Sequence, residues 1–363
     1  GPRAREGEQW AVWVRRGDDI GGRKLCQRCV LPESKPDIGL NDDGICNICT
    51  EHAEAVAVYD GRKPLETDFT KLLKKYRGKY EYDCLVMCSG GKDSTSALYY
   101  MVTRYKLKPL AFTFDHGFET PDAMRNVQRA VTKLNVDFLT FRSTEIHPLI
   151  SELLKSGSHA VICHLCSIWY MDFTFRIAAK FKVPLIIAGW TKGQTSDQSV
   201  MSKCACNIYA PEYREMGKAT IAFLETLKGD PRFKDFPKSM EDVLKRAKKR
   251  FKSTVLSPHW FLDVDAETYV ETIQRELDWQ YPDVSYPGKS TNCYLNFLAV
   301  HNSMKNFGYT HYHVEMSKLI REGEMTRAEA LELLKPTYTV EDLNKIAEPL
   351  DYVFPDSEKD HIG

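Results

Sequence analysis

The sequence predicts an α/β protein: a doubly wound, mostly parallel sheet, preceded by a small four-cysteine module of zinc-ribbon type and followed by a helical C-terminal region. Three observations carry this reading. From Tyr82 to about residue 210, short apolar runs alternate with helical stretches, the pattern of successive βαβ units. Two Cys-x2-Cys pairs, Cys26/Cys29 and Cys46/Cys49, stand ahead of that region. A glycine-rich loop, Ser89-Gly90-Gly91-Lys92-Asp93-Ser94, joins the first apolar run to the first helical one.

Taken in order, residues 1–23 read as an extension whose Gly1-Pro2 start looks like a tag scar, with Trp10 to Val14 alternating like a short strand. Residues 24–52 form the cysteine module, with Pro32, Pro36, Gly39 and Gly44 supplying its turns. Residues 53–81 read as a helical linker, lysine-rich from Phe69 to Tyr80. Within the domain at 82–210, strand-like runs fall at 84–88, 110–114, 138–141 and 185–188, and helical runs at 95–105, 121–134 and 167–181. Residues 211–355 read mostly as helix. Thr326-Arg327-Ala328-Glu329 fits a capping box, and Thr339 with Asp342 marks another helix start. Residues 356–363 are a tail.

The bulk numbers narrow the class. A formal net charge of +0 argues against a dedicated nucleic-acid binder, though it leaves room for a local basic patch. The densest basic run, Lys245 to Lys252, reads by default as a solvated helix face; a surface for RNA or nucleotide-sugar phosphates is its alternative. No apolar run reaches spanning length and no signal peptide is visible. Six of the 11 cysteines form three Cys-x2-Cys pairs. Without a secretory signal, such pairs point to metal or redox sites in a reducing, cytoplasmic setting.

The 89–94 loop reads as a phosphate cradle. A strand, a glycine turn and a helix start aim backbone N–H groups at an anion. Gly90 and Gly91 let the backbone approach a phosphate, Lys92 adds a point charge, and Ser89 and Ser94 add hydroxyl donors. It is not a Walker A loop, which needs a glycine five residues before its Gly-Lys-Ser/Thr. Gly288-Lys289-Ser290 has Asp283 at that position and Gly217-Lys218 has Glu212.

Ser-Gly-Gly-Lys-Asp-Ser resembles the PP-loop of the ATP pyrophosphatases. The resemblance implies cleavage of ATP between the α and β phosphates and adenylation of a carbonyl-type oxygen. A nitrogen or sulfur nucleophile then displaces AMP. It also implies a polar residue at the end of the second strand, here Asp115, and a nucleotide-contacting loop after the fourth, Gly189-Trp190-Thr191-Lys192. Family members often carry Gly-His there; Trp190 replaces the histidine, leaving Lys192, Thr195 and Asp197 as the polar groups. Asp93 and Asp115 are candidate magnesium ligands.

Cys26, Cys29, Cys46 and Cys49 have the spacing of a closed structural zinc site. The segment 26–49 also resembles the zinc module of the N-acetyl sugar amidotransferase branch, and the resemblance to that branch extends to the stretch Gly323 to Ala330. The third pair, Cys163 and Cys166, opens a helix, where the dipole favours thiolate. In the PP-loop tRNA thiolases a pair at this place joins a distant cysteine to hold a [4Fe–4S] cluster. Cys293 is the candidate third ligand, with Cys204 and Cys206 as rivals. An iron–sulfur cluster, a second zinc, a persulfide-forming pair and buried structural cysteines all remain open at this stage. Cys84 and Cys88 flank a strand and read as core; His116 reads as a turn residue.

Two functions follow. The first is an ATP-dependent enzyme that replaces a substrate oxygen with sulfur, with Lys92, Asp93, Cys163 and Cys166 in catalytic roles. Its partners are a tRNA or small-molecule acceptor and a sulfur donor protein. The second is an amidotransferase fed with ammonia by a separate glutaminase. ATP, magnesium and zinc are the expected ligands, and the helical tail suggests a homodimer.

Overall fold

The computed structural model describes residues 19–20, 22–58, 66–194, 210–288 and 292–361. Trp10–Val14, Thr195, Asp197, Cys204 and Cys206 lie outside the described residues. A two-residue hairpin, β1 (Asp19–Ile20) with β2 (Arg23–Lys24), leads into the cysteine module, which ends in helix α1 (Asn47–Val58). Helix α2 (Glu66–Leu73) precedes the sheet.

Five strands form that sheet: β3 (Cys84–Met87), β4 (Pro109–Asp115), β5 (Asp137–Arg142), β6 (Leu185–Ile187) and β7 (Thr254–Leu256). Their order is β5-β4-β3-β6-β7 and every pairing is parallel. The four runs expected from the sequence are strands. β7 is an addition, drawn from the stretch that reads as helical: three residues of edge strand give too short a pattern to register.

The strands read as unbroken apolar runs because both faces are covered. Leu85, Leu110, Phe112, Ile186 and Val255 enter one core; Cys84, Val86, Ala111, Leu185, Ile187 and Leu256 enter the other. Helices α3 (Lys92–Thr103), α4 (Pro121–Lys133) and α9 (Ala266–Leu277) contribute to the second core. Helices α5 (His147–Lys155), α6 (Ile162–Lys180), α8 (Met240–Arg250) and α10 (Leu295–Phe307) contribute to the first. The chain winds outward from β3 in both directions, so the topological switch lies between β3 and β6, where such sheets bind ligands.

Helices α7 (Arg214–Thr226), α11 (His311–Arg321), α12 (Arg327–Leu333) and α13 (Val340–Ala347) complete the molecule. Thr326 and Thr339 each cap a helix through a full capping box, as their sequence context predicts. The cysteine module docks on this C-terminal region. Its four cysteines share a buried cluster with Phe307, Tyr309 and Val314. Arg327 Nε donates to the carbonyls of Cys26 (3.1 Å) and Cys29 (3.0 Å).

Candidate functional site: a phosphate loop facing three cysteines

The 89–94 loop sits at the carboxyl end of β3 and starts α3, with Gly91 as the N-cap. Gly90 takes φ +81°, and a Cβ there would meet the Ala123 carbonyl oxygen at 2.1 Å. Two protein groups pin its carbonyl: Trp279 Nε1 donates at 2.9 Å and Asn126 Nδ2 at 3.3 Å. Ser94 Oγ accepts from the Ser89 amide at 3.2 Å and lies 3.1 Å from Ser89 Oγ. The neighbouring loop presses close, since a Cβ on Gly189 would stand 2.4 Å from Ser94 Cα. The first amides of α3 have no carbonyl within the helix to bond and point outward. The strand, glycine turn and helix start stand in the order the sequence predicts.

Lys92 and Asp93 form a tight pair, with Nζ 2.7 Å from both carboxylate oxygens. The Tyr269 hydroxyl also donates to Asp93, and His259 Nε2 donates to its backbone carbonyl at 2.9 Å. Burial alone would raise the Asp93 carboxyl, but the charge of Lys92 and its neighbours holds it below the usual range.

The loop opens onto a cavity of about 350 Å³ lined by Ser89, Gly91, Asp93, Ser94 and Gly189, and also by Cys163, Cys166 and Cys293. Cys163 and Cys166 occupy the first turns of α6. Cys293 is brought in by a short antiparallel pairing. It bridges Glu119, the Thr120 amide donates to the Asn292 carbonyl at 2.9 Å, and the Tyr294 amide donates to the Phe118 carbonyl at 2.8 Å. That pairing also seats Asn292 on the phosphate loop, its Nδ2 donating to Ser89 Oγ at 3.1 Å. A cysteine more than a hundred residues from the pair thus faces it across one space.

The expected thiolate bias of Cys163 and Cys166 is not what the structure gives. Burial pushes the Cys163 thiol up to about 12 and raises Cys166 and Cys293 well above their ordinary value. A helix dipole, worth about 0.3–1 kcal/mol at a surface, does not offset desolvation of this size. Burial therefore opposes ionisation of all three sulfurs.

Asp115 ends β4 as expected, yet its carboxylate turns aside. It accepts from the Gly117 amide at 2.7 Å and pairs with Arg142 at 3.4 Å on β5, outside the cavity wall. Beyond the end of β4, the acid that lines the cavity is Glu119, whose carboxyl burial and Asp115 push up to about 8. Lys192 likewise faces away, bonded to Glu324 at 2.6 Å. Sequence reading missed Glu119, Asn292 and Glu315. Burial raises the Glu315 carboxyl of α11 to about 7, in the field of Lys92 and Asp93. It missed them because they lie in segments without a motif; the one available signal was that Glu119 precedes the Thr120-Pro121 start of α4.

The N-terminal cysteines form a different kind of site. Cys26, Cys29, Cys46 and Cys49 are fully buried, and their sulfurs all lie within 4.8 Å of one another. Cys29 and Cys46 sulfurs are 3.8 Å apart, and zinc–sulfur bonds of about 2.3 Å place tetrahedral sulfurs about 3.8 Å apart. Amides of Arg28, Cys29 and Cys46 donate to the Cys26 sulfur at 3.3–3.4 Å. The donor set fits zinc.

Residues 80–205, spanning the loop and the Cys163/Cys166 pair, match the family model "Thiamine biosynthesis protein (ThiI)". That match fits the PP-loop ATP pyrophosphatase superfamily, which the Ser89–Ser94 loop resembles. Residues 291–356 match "LPS biosynthesis protein WbpG-like, C-terminal domain", which fits the amidotransferase-like branch. A curated relative, the uncharacterized protein MJ1599 of Methanocaldococcus jannaschii, is 22% identical over 313 residues, covering 86% of this chain and 93% of its own. The solved U34-tRNA thiolase NcsA from Methanococcus maripaludis, with its [4Fe–4S] cluster, is 15% identical with a TM-score of 0.36, covering 83% of this chain and 86% of its own. NMN synthetase from Francisella tularensis is 12% identical with a TM-score of 0.37, covering 80% and 98%.

Proposed function

We propose that this PP-loop domain activates an acceptor's carbonyl-type oxygen with ATP and exchanges it for sulfur. One observation carries the reading: Cys163, Cys166 and Cys293, from two distant parts of the chain, face the phosphate loop across one cavity. The loop amides, Ser89, Ser94 and Lys92 hold the ATP phosphates. The acceptor oxygen attacks the α-phosphorus, the α–β bridging bond breaks and pyrophosphate leaves. A sulfur nucleophile then attacks the activated carbon, and AMP departs with the oxygen.

Asp93, released from Lys92, would hold magnesium, which would neutralise charge on pyrophosphate. Zinc fits the N-terminal module, with no open position for chemistry. The cavity trio is spread more widely than that module, since among the described residues the module is the one group of three or more such ligands within 4.8 Å. The trio would hold a [4Fe–4S] cluster by three thiolates, with one iron open to exogenous sulfide. The acceptor is a tRNA or a small molecule, supplied with sulfur by a partner protein in a reducing cytoplasm. Among the described residues no helix is long and apolar enough to cross a membrane.

The WbpG-like match at residues 291–356 favours a second reading, nitrogen transfer to an N-acetyl sugar with ammonia from a separate glutaminase. Anaerobic purification followed by iron, sulfide and zinc analysis decides between them. Sulfur transfer expects iron and sulfide with the protein; zinc alone, with full AMP-forming activity, would sink it.

A further inference from the structure

We propose that His116 is a positioning residue for Cys293, its Nε2–H holding and charge-stabilising that one sulfur of the three. The proposal rests on the reading above that this cavity wall carries sulfur.

Hydrogen bonds fix the state of the ring. The Phe118 amide donates to His116 Nδ1 at 3.3 Å, so Nδ1 offers its lone pair and the proton of the neutral ring sits on Nε2. An imidazolium would set N–H against N–H. Nε2–H then faces two acceptors, the Cys293 sulfur at 3.6 Å and Glu119 Oε1 at 3.3 Å. The ring is 8% exposed, so little water competes for that proton.

The surroundings hold this geometry. His147 Nε2 donates to the His116 carbonyl at 2.6 Å. The amides of His116 and Gly117 donate to the two Glu119 oxygens at 3.2 and 3.1 Å. Cys293 is paired by backbone with Glu119 itself, so donor and sulfur are carried on one small paired unit. Cys163 has the opposite partner. Its sulfur lies 3.9 Å from Asn296 Oδ1, an acceptor that also takes the Tyr312 hydroxyl at 2.9 Å. An N–H aimed at sulfur favours the thiolate; a carbonyl oxygen does not. Of these two sulfurs, Cys293 is the one given an N–H donor, which opposes the burial and the Glu119 carboxyl that raise its thiol, and hydrogen bonds to ligand sulfur also tune a bound cluster.

The test is site-resolved alkylation of the full-length, iron-free protein with iodoacetamide at one pH, read by mass spectrometry. His116→Leu is expected to slow Cys293 about three- to tenfold, the scale of one charge-assisted hydrogen bond, with Cys163 unchanged. His116→Gln, whose amide keeps an N–H near the Nε2 position, restores most of the rate. Should the leucine variant misfold, His116→Asn, too short to reach, replaces it against His116→Gln. Equal slowing at Cys163 and Cys293, or no slowing, overturns the proposal. Iron and sulfide analysis after anaerobic reconstitution is read separately. Iron binding with flat alkylation removes the role of His116 and leaves the sulfur reading intact; no iron with Cys293 selectively slowed does the reverse.

Discussion

The N-terminal module and the cavity wall use the same residue type for opposite ends. The module closes four fully buried sulfurs on one another and aims backbone amides at those of Cys26 and Cys29. The cavity wall spreads three half-buried cysteines from α6 and the segment before α10 around an open space. A closed set has every coordination position taken and serves the fold. An open set leaves room for a reactant, and its cost is three buried thiols whose ionisation is opposed by burial. Spacing along the chain separates the two: both halves of the module are local turns, whereas Cys293 needs the sheet and the pairing with Glu119 to reach its partners.

The largest contrast concerns stability. Removing metal from the module with a strong chelator, or substituting Cys46→Ser, is expected to cost most of the folding energy of the 24–52 unit, since structural zinc contributes about 10 kcal/mol or more in small modules. Arg327 and the Phe307 cluster dock on that unit, so the C-terminal helices should loosen with it. Thermal unfolding and limited proteolysis read this directly. Cys163→Ala, by contrast, should shift the melting midpoint by only a few degrees, as a partly buried small side chain does. Equal losses from both changes would erase the distinction between the two sites.

The second contrast is catalytic. Cys163→Ala is expected to abolish sulfur delivery, a loss of at least about a thousandfold where an essential group is removed. ATP cleavage to AMP and pyrophosphate should persist, because the phosphate loop does not touch that sulfur. Measuring pyrophosphate and thiolated product in the same reaction separates the steps. A variant that keeps forming thiolated product at the full rate would show that Cys163 does not deliver the sulfur.

Much of this comparison was legible in the sequence. The loop, the four-cysteine spacing and the apolar runs of β3, β4, β5 and β6 are local signals, and the chain folds them as local physics dictates. The pairing of Cys293 with Cys163 and Cys166 was legible only as a candidate, because nothing local distinguishes Cys293 from Cys204 or Cys206. The direction of Asp115 was not legible. Both Asp115 and Glu119 lie near the end of β4, and which carboxyl enters the cavity depends on Arg142, one strand over at the paired position of β5. Raised carboxyls such as Glu119 and Glu315 are products of burial, which a polar letter does not announce.

A third test sharpens the loop side of the comparison. Gly90→Ala forces a Cβ to 2.1 Å from the Ala123 carbonyl at a left-handed φ of +81°. The neighbour is backbone, so the loop itself must move. ATP affinity is expected to fall about tenfold to a hundredfold, from about 1.4–3 kcal/mol of lost phosphate contact and strain. Calorimetric titration with a non-hydrolysable ATP analogue measures it. Unchanged affinity would mean that the cradle is not where the phosphates bind.

The smallest effect is a pH dependence, carried by Glu315 of α11, packed beside Gly193. Its carboxyl is raised by burial from an ordinary 4.5 to about 7 in the folded protein. The folded state therefore binds this proton more tightly than the unfolded one. Stability from this group is fully present below about pH 4.5 and is lost as pH rises toward 7, where the carboxylate must ionise within the fold. Glu315→Gln keeps the shape and removes the ionisation. The variant should match wild type near pH 5 and exceed it near pH 7.5 by about 1–3 kcal/mol, the scale of a shift of this size after partial solvent screening. Urea unfolding at the two pH values tests the sign. If the variant is instead weaker at pH 7.5, the charge of Glu315 is compensated by Lys92, and the ionised carboxylate belongs to the phosphate site as a working group beside Asp93.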